Sequence, residues 1–335
     1  ITSAQYNTSL GYQSLASNII GDNNTALGYL ALQDFVADTD GHGNNTAVGA
    51  SAMMNASTGT ENTALGNLAM AGGVTTGNSN VALGHGAGYN ISSGQDNTLV
   101  GTGTGDSITS GARNTAVGFA ALATENAHGN NTAIGYAALN TLDADAEGYN
   151  VAIGSNSGKL MTSGVNNSLL GYNSGTAITT GTNNVALGYD AGKSLTTGGN
   201  NTLVGARTGD ALDDDSNNVA VGTDAMSNLQ TDNCVAVGYA AMNGATTSAR
   251  TTAIGRTAIG GATLTGNDNT ALGYQAGHVL TSGAQNTLIG NLAGDALTTG
   301  DNNIIIGYAA AAAGVGVDNT TVIGTATTTN AVVHG

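Results

Sequence analysis

The sequence predicts an all-β fold: a parallel β-solenoid, or β-roll, of about 19 coils with a 17-residue repeat. Three observations predict it. A glycine-anchored unit recurs along the chain, single-type columns keep their phase within that unit, and large apolar residues trade places between two fixed positions.

The unit is plain at Asn183-Asn184-Val185-Ala186-Leu187-Gly188-Tyr189-Asp190-Ala191-Gly192. Its 19 anchor glycines run from Gly11, Gly28 and Gly49 to Gly307 and Gly324. Of the 18 intervals between them, 13 equal 17 residues, and the others are 16, 18, 18, 19 and 21. No boundary interrupts the series. Residues 1–327 are therefore expected to form a single continuous solenoid domain, and residues 328–335 an exit or transition segment. The chain begins in mid-pattern at Ile1, without an initiating Met, as expected for a piece of a longer protein.

With the anchor glycine as position zero, position −1 is aliphatic in all 19 units, as in Leu27, Val48 and Ile134. Position −2 is Ala, Leu, Ile or Val in 18, Ser9 being the exception. Position +3 is Ala, Ser or Thr throughout. Position −4 is Asn in 16, the exceptions being Cys234, Thr251 and Thr320. Position +4 is Leu, Met or Ile in nine units, such as Leu32, Met53 and Ile259, and Gly in eight. In all eight Gly units position +7 is apolar, from Ile91 and Ile108 to Leu280 and Leu297. A core filler lost at +4 is supplied at +7, so both positions are expected to reach the same interior space.

Seventeen residues cannot hold a helical hairpin, and no apolar stripe of helical spacing is present. The unit is read as two short strands and two turns. Val, Ile, Leu and Thr at −3 to −1 form one strand, and stretches such as Thr196-Thr197-Gly198 form a turn. Asn at −4 and −5 suits a corner, because Asn tolerates left-handed backbone and bonds locally. Stacked coils place each Asn above the next, as an amide ladder. Positions −2 and −1 are neighbours in a strand and point to opposite faces, yet both are apolar. One row fills the coil, and the other needs a cover, most simply an identical chain related by closed rotational symmetry. The pattern does not say which row is which.

Composition narrows the function. The chain has 335 residues, 53 Gly, no Pro, no Trp and 2 Phe, and its apolar residues are mostly small aliphatics. Six basic residues against 22 acidic ones give a net charge of −16. That balance argues against nucleic acid and anionic membrane surfaces as partners. No apolar run approaches the ~20 residues of a membrane span. The single cysteine, Cys234, allows no disulfide within the chain.

The motif Asn-Thr-Ala-Leu-Gly-Tyr, as at Asn24–Tyr29, followed by Ala-Gly or Ala-Leu, resembles the head repeats of YadA-like trimeric autotransporter adhesins. It is still more similar to the longer repeats of phage tail fibres and related fibres that end in an intramolecular chaperone. The resemblance covers residues 7–327. It implies a left-handed parallel β-roll, a homotrimer and a role in attachment outside the cell or on a virion. The 17-residue period is longer than that of the usual adhesin head, and no adhesin neck, coiled coil or anchor is present. The fibre is therefore the expected class, with the adhesin head or a glycan-binding module as alternatives.

No catalytic, cofactor or metal site is expected. His42, His85, His128, His278 and His334 are scattered over different coils, so no two are forced together. Cys234 takes the place of a ladder Asn. Acidic residues gather at one outer corner that also takes the longest insertions: Asp34, Asp38 and Asp40; Asp143, Asp145 and Glu147; and Asp213-Asp214-Asp215. The nonapeptide signature of calcium-binding rolls is absent there, so solvation is the expectation. Position +1 is Tyr in eight units: Tyr12, Tyr29, Tyr136, Tyr172, Tyr189, Tyr239, Tyr274 and Tyr308. These tyrosines either stack on sugars of a cell-surface receptor or pack between coils and neighbouring chains. An ice-binding solenoid is the remotest alternative, since the threonines are not expected to keep to one flat column.

Overall fold

The computed structural model describes residues 4–37, 42–143 and 147–325. Its contacts group into two units, Ile1–Leu170 and Gly171–Gly335. The first carries ten strands, β1 (Thr8–Leu10) to β10 (Ser168–Leu170). The second carries nine, β11 (Val185–Leu187) to β19 (Thr321–Ile323). Every strand covers positions −3 to −1 of its repeat. Within each unit successive strands pair in parallel and in register, so that Ala47 lies on Ala64 and Leu203 on Ala220. The expected all-β parallel β-solenoid is present. Among the described residues no helix occurs, and so none long and apolar enough to cross a membrane. The expected exit segment, residues 328–335, lies outside the described residues.

The second strand expected in each coil is missing among the described residues, for a backbone reason. Positions −5, +2 and +4 are left-handed, as at Asn23, Leu30 and Leu32, with φ of 56°, 56° and 52°. A strand needs consecutive residues in the β region, and these turn the chain out of it. Their amides bond to the neighbouring coils instead. The Leu30 N–H donates to the Tyr12 carbonyl (2.9 Å) and the Leu32 N–H to the Ala52 carbonyl (3.0 Å). Left-handed backbone costs a non-glycine residue roughly 1–2 kcal/mol, which coil-to-coil bonding offsets.

The anchor glycine is the point of closest approach between coils. At Gly188 φ is +143°, and a β-carbon there would lie 2.3 Å from the Gly205 carbonyl oxygen. Only bare backbone fits. That requirement explains why one glycine per repeat never varies.

Row −2 lines the coil. Ala26, Ala64, Ala116, Ala186 and Ala253 are all fully buried, whereas row −1 faces outward, with Leu65, Leu187 and Leu272 among the exposed hydrophobics. The expected sharing of interior space by +4 and +7 is present. Met53, Leu122 and Met242 at +4 are fully buried, as are Ile91, Ile108 and Leu195 at +7. A β-carbon on Gly88, at +4, would lie 2.8 Å from Ile91 Cδ1, at +7 of the same coil.

A third position belongs to this exchange. The eight Gly units form four consecutive pairs, and the second unit of each pair carries Leu at −2: Leu99, Leu169, Leu203 and Leu288. No other unit has Leu there. Leu99 reaches over Gly88 and Gly105, Leu203 over Gly192 and Gly209, and Leu288 over Gly277 and Gly294, each within 2.9 Å of the place a β-carbon would take. Leu169 does the same over Gly158. A long side chain on the strand thus fills a gap left by glycine in its own coil and in the one before it.

The amide ladder is built as expected. Asn97 Nδ2 donates to Asn80 Oδ1 (3.0 Å) and to the Gly111 carbonyl (2.8 Å), and Asn97 Oδ1 accepts from the Asn114 N–H (3.0 Å). The same links join Asn184, Asn201 and Asn218 in the second unit. Where Cys234 and Thr251 break the column, Ser248 replaces the usual glycine and compensates. Cys234 Sγ donates to the Ser248 carbonyl (3.1 Å), and the Ser248 hydroxyl bonds Thr251 Oγ1 (2.8 Å) and the Gly266 carbonyl (2.6 Å).

Candidate functional site

The outward strand face is the largest chemical feature of each unit. Its two rows, −3 and −1, flank the buried row −2. Row −1 is Leu, Val or Ile throughout, and row −3 is Thr in 12 of 19 units, with Val, Ile or Ser in the rest. Twelve threonines thus share one outward column, but others lie in the turns and, as at Thr104 and Thr208, inside the coil, so the threonines are not confined to it, as expected. The period-two alternation of a strand places the twelve there, a relation hidden when threonines in turns are counted with them.

Position +1 follows the anchor glycine. All eight tyrosines there are exposed, from 39% at Tyr274 to 65% at Tyr12. Where two aromatic residues occupy neighbouring coils, their rings stack. Tyr12 and Tyr29 lie 5.6 Å apart between centroids, Tyr172 and Tyr189 5.6 Å, and Phe119 and Tyr136 5.5 Å. The guanidinium carbon of Arg256 sits 5.7 Å from the Tyr239 ring centroid and 5.8 Å from that of Tyr274. Packing between coils is thus one use of these rings.

A groove of about 650 Å³ opens on the second unit, lined by Thr176, Lys193, Thr196, Asp210, Asp213 and Gln230 among others. Lys193 Nζ lies 3.7 Å from Asp190 Oδ2. Partial burial pushes the Asp210 carboxyl above its ordinary value. Sequence reasoning missed this groove, because its residues come from positions +5, +6 and +8 of successive coils and share no residue type.

The acidic corner is only partly described: Asp38, Asp40 and Asp145 lie outside the described residues. Asp213 and Asp214 are exposed. Asp215 is buried, and its Oδ2 accepts from the Asp213 N–H (3.2 Å). Burial, reinforced by Asp214, Asp232 and Asp213, holds its carboxyl above the ordinary value. Glu147 accepts from the Gly129 N–H (3.2 Å) and lies 3.8 Å from Arg113 Nη2. Among the described residues, no group of three or more His, Cys, Asp or Glu side chains is placed to hold a metal ion.

His334 lies outside the described residues. His128 stands beside the fully buried Glu125, whose Oε1 accepts from the His128 backbone N–H (3.0 Å). The His278 ring packs where a β-carbon on Gly261 would be. Cys234 is fully buried, and burial pushes its thiol up, away from the reactive thiolate. No family model matches the chain, and no curated protein matches it.

Proposed function

We propose that this chain is a segment of a homo-oligomeric attachment fibre, carried on a virion or a cell surface. The observation that carries the reading is the aliphatic row −1, which the coil leaves facing outward along both units. Covering a half-exposed Leu, Val or Ile contributes roughly 1 kcal/mol. Ten such residues in the first unit and nine in the second contribute on the order of 20 kcal/mol gross, above the ~4–15 kcal/mol that association costs. A second copy of the same chain is the cover that matches the row in length and period, and the resemblance to trimeric fibres and adhesin heads sets the number at three. The exposed tyrosines and the polar groove support a role in contacting a receptor.

Mass measurement in solution tests this. The expected result is a particle of three chains at all accessible concentrations. A folded monomer of 32.6 kDa with intact β signal would overturn it. Binding of the labelled assembly to intact cells tests attachment separately.

One observation favours a second reading, binding to ice: the outward threonine column. A thermal hysteresis assay on the same sample decides it, and the exposed tyrosine row beside the strands argues for a null result.

A further inference from the structure

The chain has four arginines, and three of them pair with carboxylates. Arg207 Nε and Nη2 donate to the two oxygens of Asp224 (2.7 and 2.9 Å), and Arg250 does the same to Asp268 (2.7 and 2.9 Å). Arg113 Nη2 lies 3.8 Å from Glu147 Oε1. Arg207 and Arg250 find their acids in the same column of the next coil. Arg256 differs. Its column offers Tyr239 on one side and Tyr274 on the other, and no ion pair joins it to a carboxylate among the described residues.

Tyr239 and Tyr274 thus flank the guanidinium within cation–π range. Arg256 is exposed, so its N–H donors meet solvent. A guanidinium held between two rings and joined to no carboxylate is placed to take a planar two-oxygen anion. The phenol groups of Tyr239 and Tyr274 add hydroxyls one coil to either side. The net charge of −16 repels dense polyanions, so the ligand carries an isolated charge.

We infer that Tyr239, Arg256 and Tyr274 form a binding site for a carboxylated sugar. The carboxylate pairs with Arg256, and the sugar hydroxyls bond the phenol groups of Tyr239 and Tyr274. Gap filling alone does not account for Arg256: Ala206, Thr223 and Asn291 leave the same column open elsewhere in this unit, and the coils stack through them unchanged. The biological use of the site rests on the attachment reading; its chemistry does not.

The test is titration of the intact assembly with methyl glucuronide, methyl glucoside and acetate, followed by saturation-transfer NMR or calorimetry. The expected result is binding of the glucuronide roughly tenfold or more tighter than of either other probe. Arg256→Ala removes that preference, and Arg256→Lys, which keeps the charge and loses the plane, restores little of it. Unchanged circular dichroism and assembly mass in both variants exclude misfolding as the cause. Equal binding of glucuronide and glucoside, acetate binding as tightly as the glucuronide, full binding by Arg256→Ala, or no binding by the wild-type assembly each overturns the site. A monomeric wild-type chain that binds the glucuronide would overturn the oligomeric reading and leave the site standing.

Discussion

Leu99 occupies the space that a side chain on Gly88 would need: a β-carbon on Gly88 would lie 2.9 Å from Leu99 Cδ1. The two belong to neighbouring coils, so the identity of one position is tied to the other across the coil boundary. Leu99→Ala is expected to cost about 2–5 kcal/mol, because the glycines on either side cannot fill the cavity. Gly88→Ala alone clashes with Leu99 and Ile91. Combined with Leu99→Ala, it is expected to cost less than the sum of the two. Denaturation midpoints for the four proteins of this cycle check it, and strict additivity would contradict the pairing.

Asn97 is held by a ladder partner on each side. Asn97→Ala leaves the Asn114 N–H and the Gly111 carbonyl short of their bonds in a dry interior, while Asn80 Oδ1 keeps its bond from the Asn97 backbone N–H (3.2 Å). At about 1–3 kcal/mol for each lost partner, the loss is expected to reach at least about 2 kcal/mol. Hydrogen exchange should show it first as lost protection at the strands of the adjoining coils. A variant as stable as the wild type would mean that the ladder is ornamental.

Ala186 and Leu187 are neighbours with different expected behaviour. Ala186 is fully buried and Leu187 is 39% exposed. Ala186→Asp places an unpaired charge inside the coil and is expected to abolish folding locally. Leu187→Asp is expected to keep the β signal and lower the particle mass. Loss of β signal in Leu187→Asp would show that row −1 serves the coil itself.

Stability is expected to rise on mild acidification. Burial pushes the carboxyls of Asp215, Asp210 and Asp106 above their ordinary 3.8. The folded chain then holds these protons more tightly than the unfolded one, so stability falls as pH rises from 3.8 through the raised values. Asp215→Asn is expected to raise the melting temperature at neutral pH and to flatten the dependence. Thermal scans across that range check it, and a lower neutral-pH melting temperature in Asp215→Asn would refute it.

Insertions are expected to be tolerated at one phase. The natural 21- and 19-residue intervals lengthen the stretch that contains Asp34 and Asp143, the phase of Asp213 to Asp215. Two residues added after the exposed Asp214 should cost less than about 1 kcal/mol. Two residues between Ala186 and Leu187 break a strand of three and its pairing with β12. Similar melting temperatures for the two insertions would be incompatible with the register.

The solenoid was legible because the glycine and aliphatic columns repeat in all 19 units and the asparagine column in 16, each reporting one structural demand. Rows −2 and −1 were legible as opposed but not as inner and outer, since Ala186 and Leu187 are both apolar and only the path of the turns decides between them. The missing second strand was not legible, because Leu30 and Leu32 look like strand residues and sit in left-handed backbone. The coupling of Leu99 to Gly88 was written in the sequence, and comparing columns across neighbouring repeats recovers it. The tyrosine row was legible as a column; its stacking was not. Arg256 stood out in nothing but its column, and its character comes from the rings above and below it.

The coupling between coils also limits how such a chain changes length over generations. A tandem array grows or shrinks when replication slips by whole repeats, and a uniform array tolerates the slip anywhere. Here, losing the repeat anchored at Gly84 would bring Leu99 against Met70, two bulky groups where one fits. Losing both members of a glycine pair removes Leu99 with its partners and leaves a clean join. Inheritable length variants of this chain should therefore differ by pairs in the glycine stretches and by single repeats in the Leu and Met stretches.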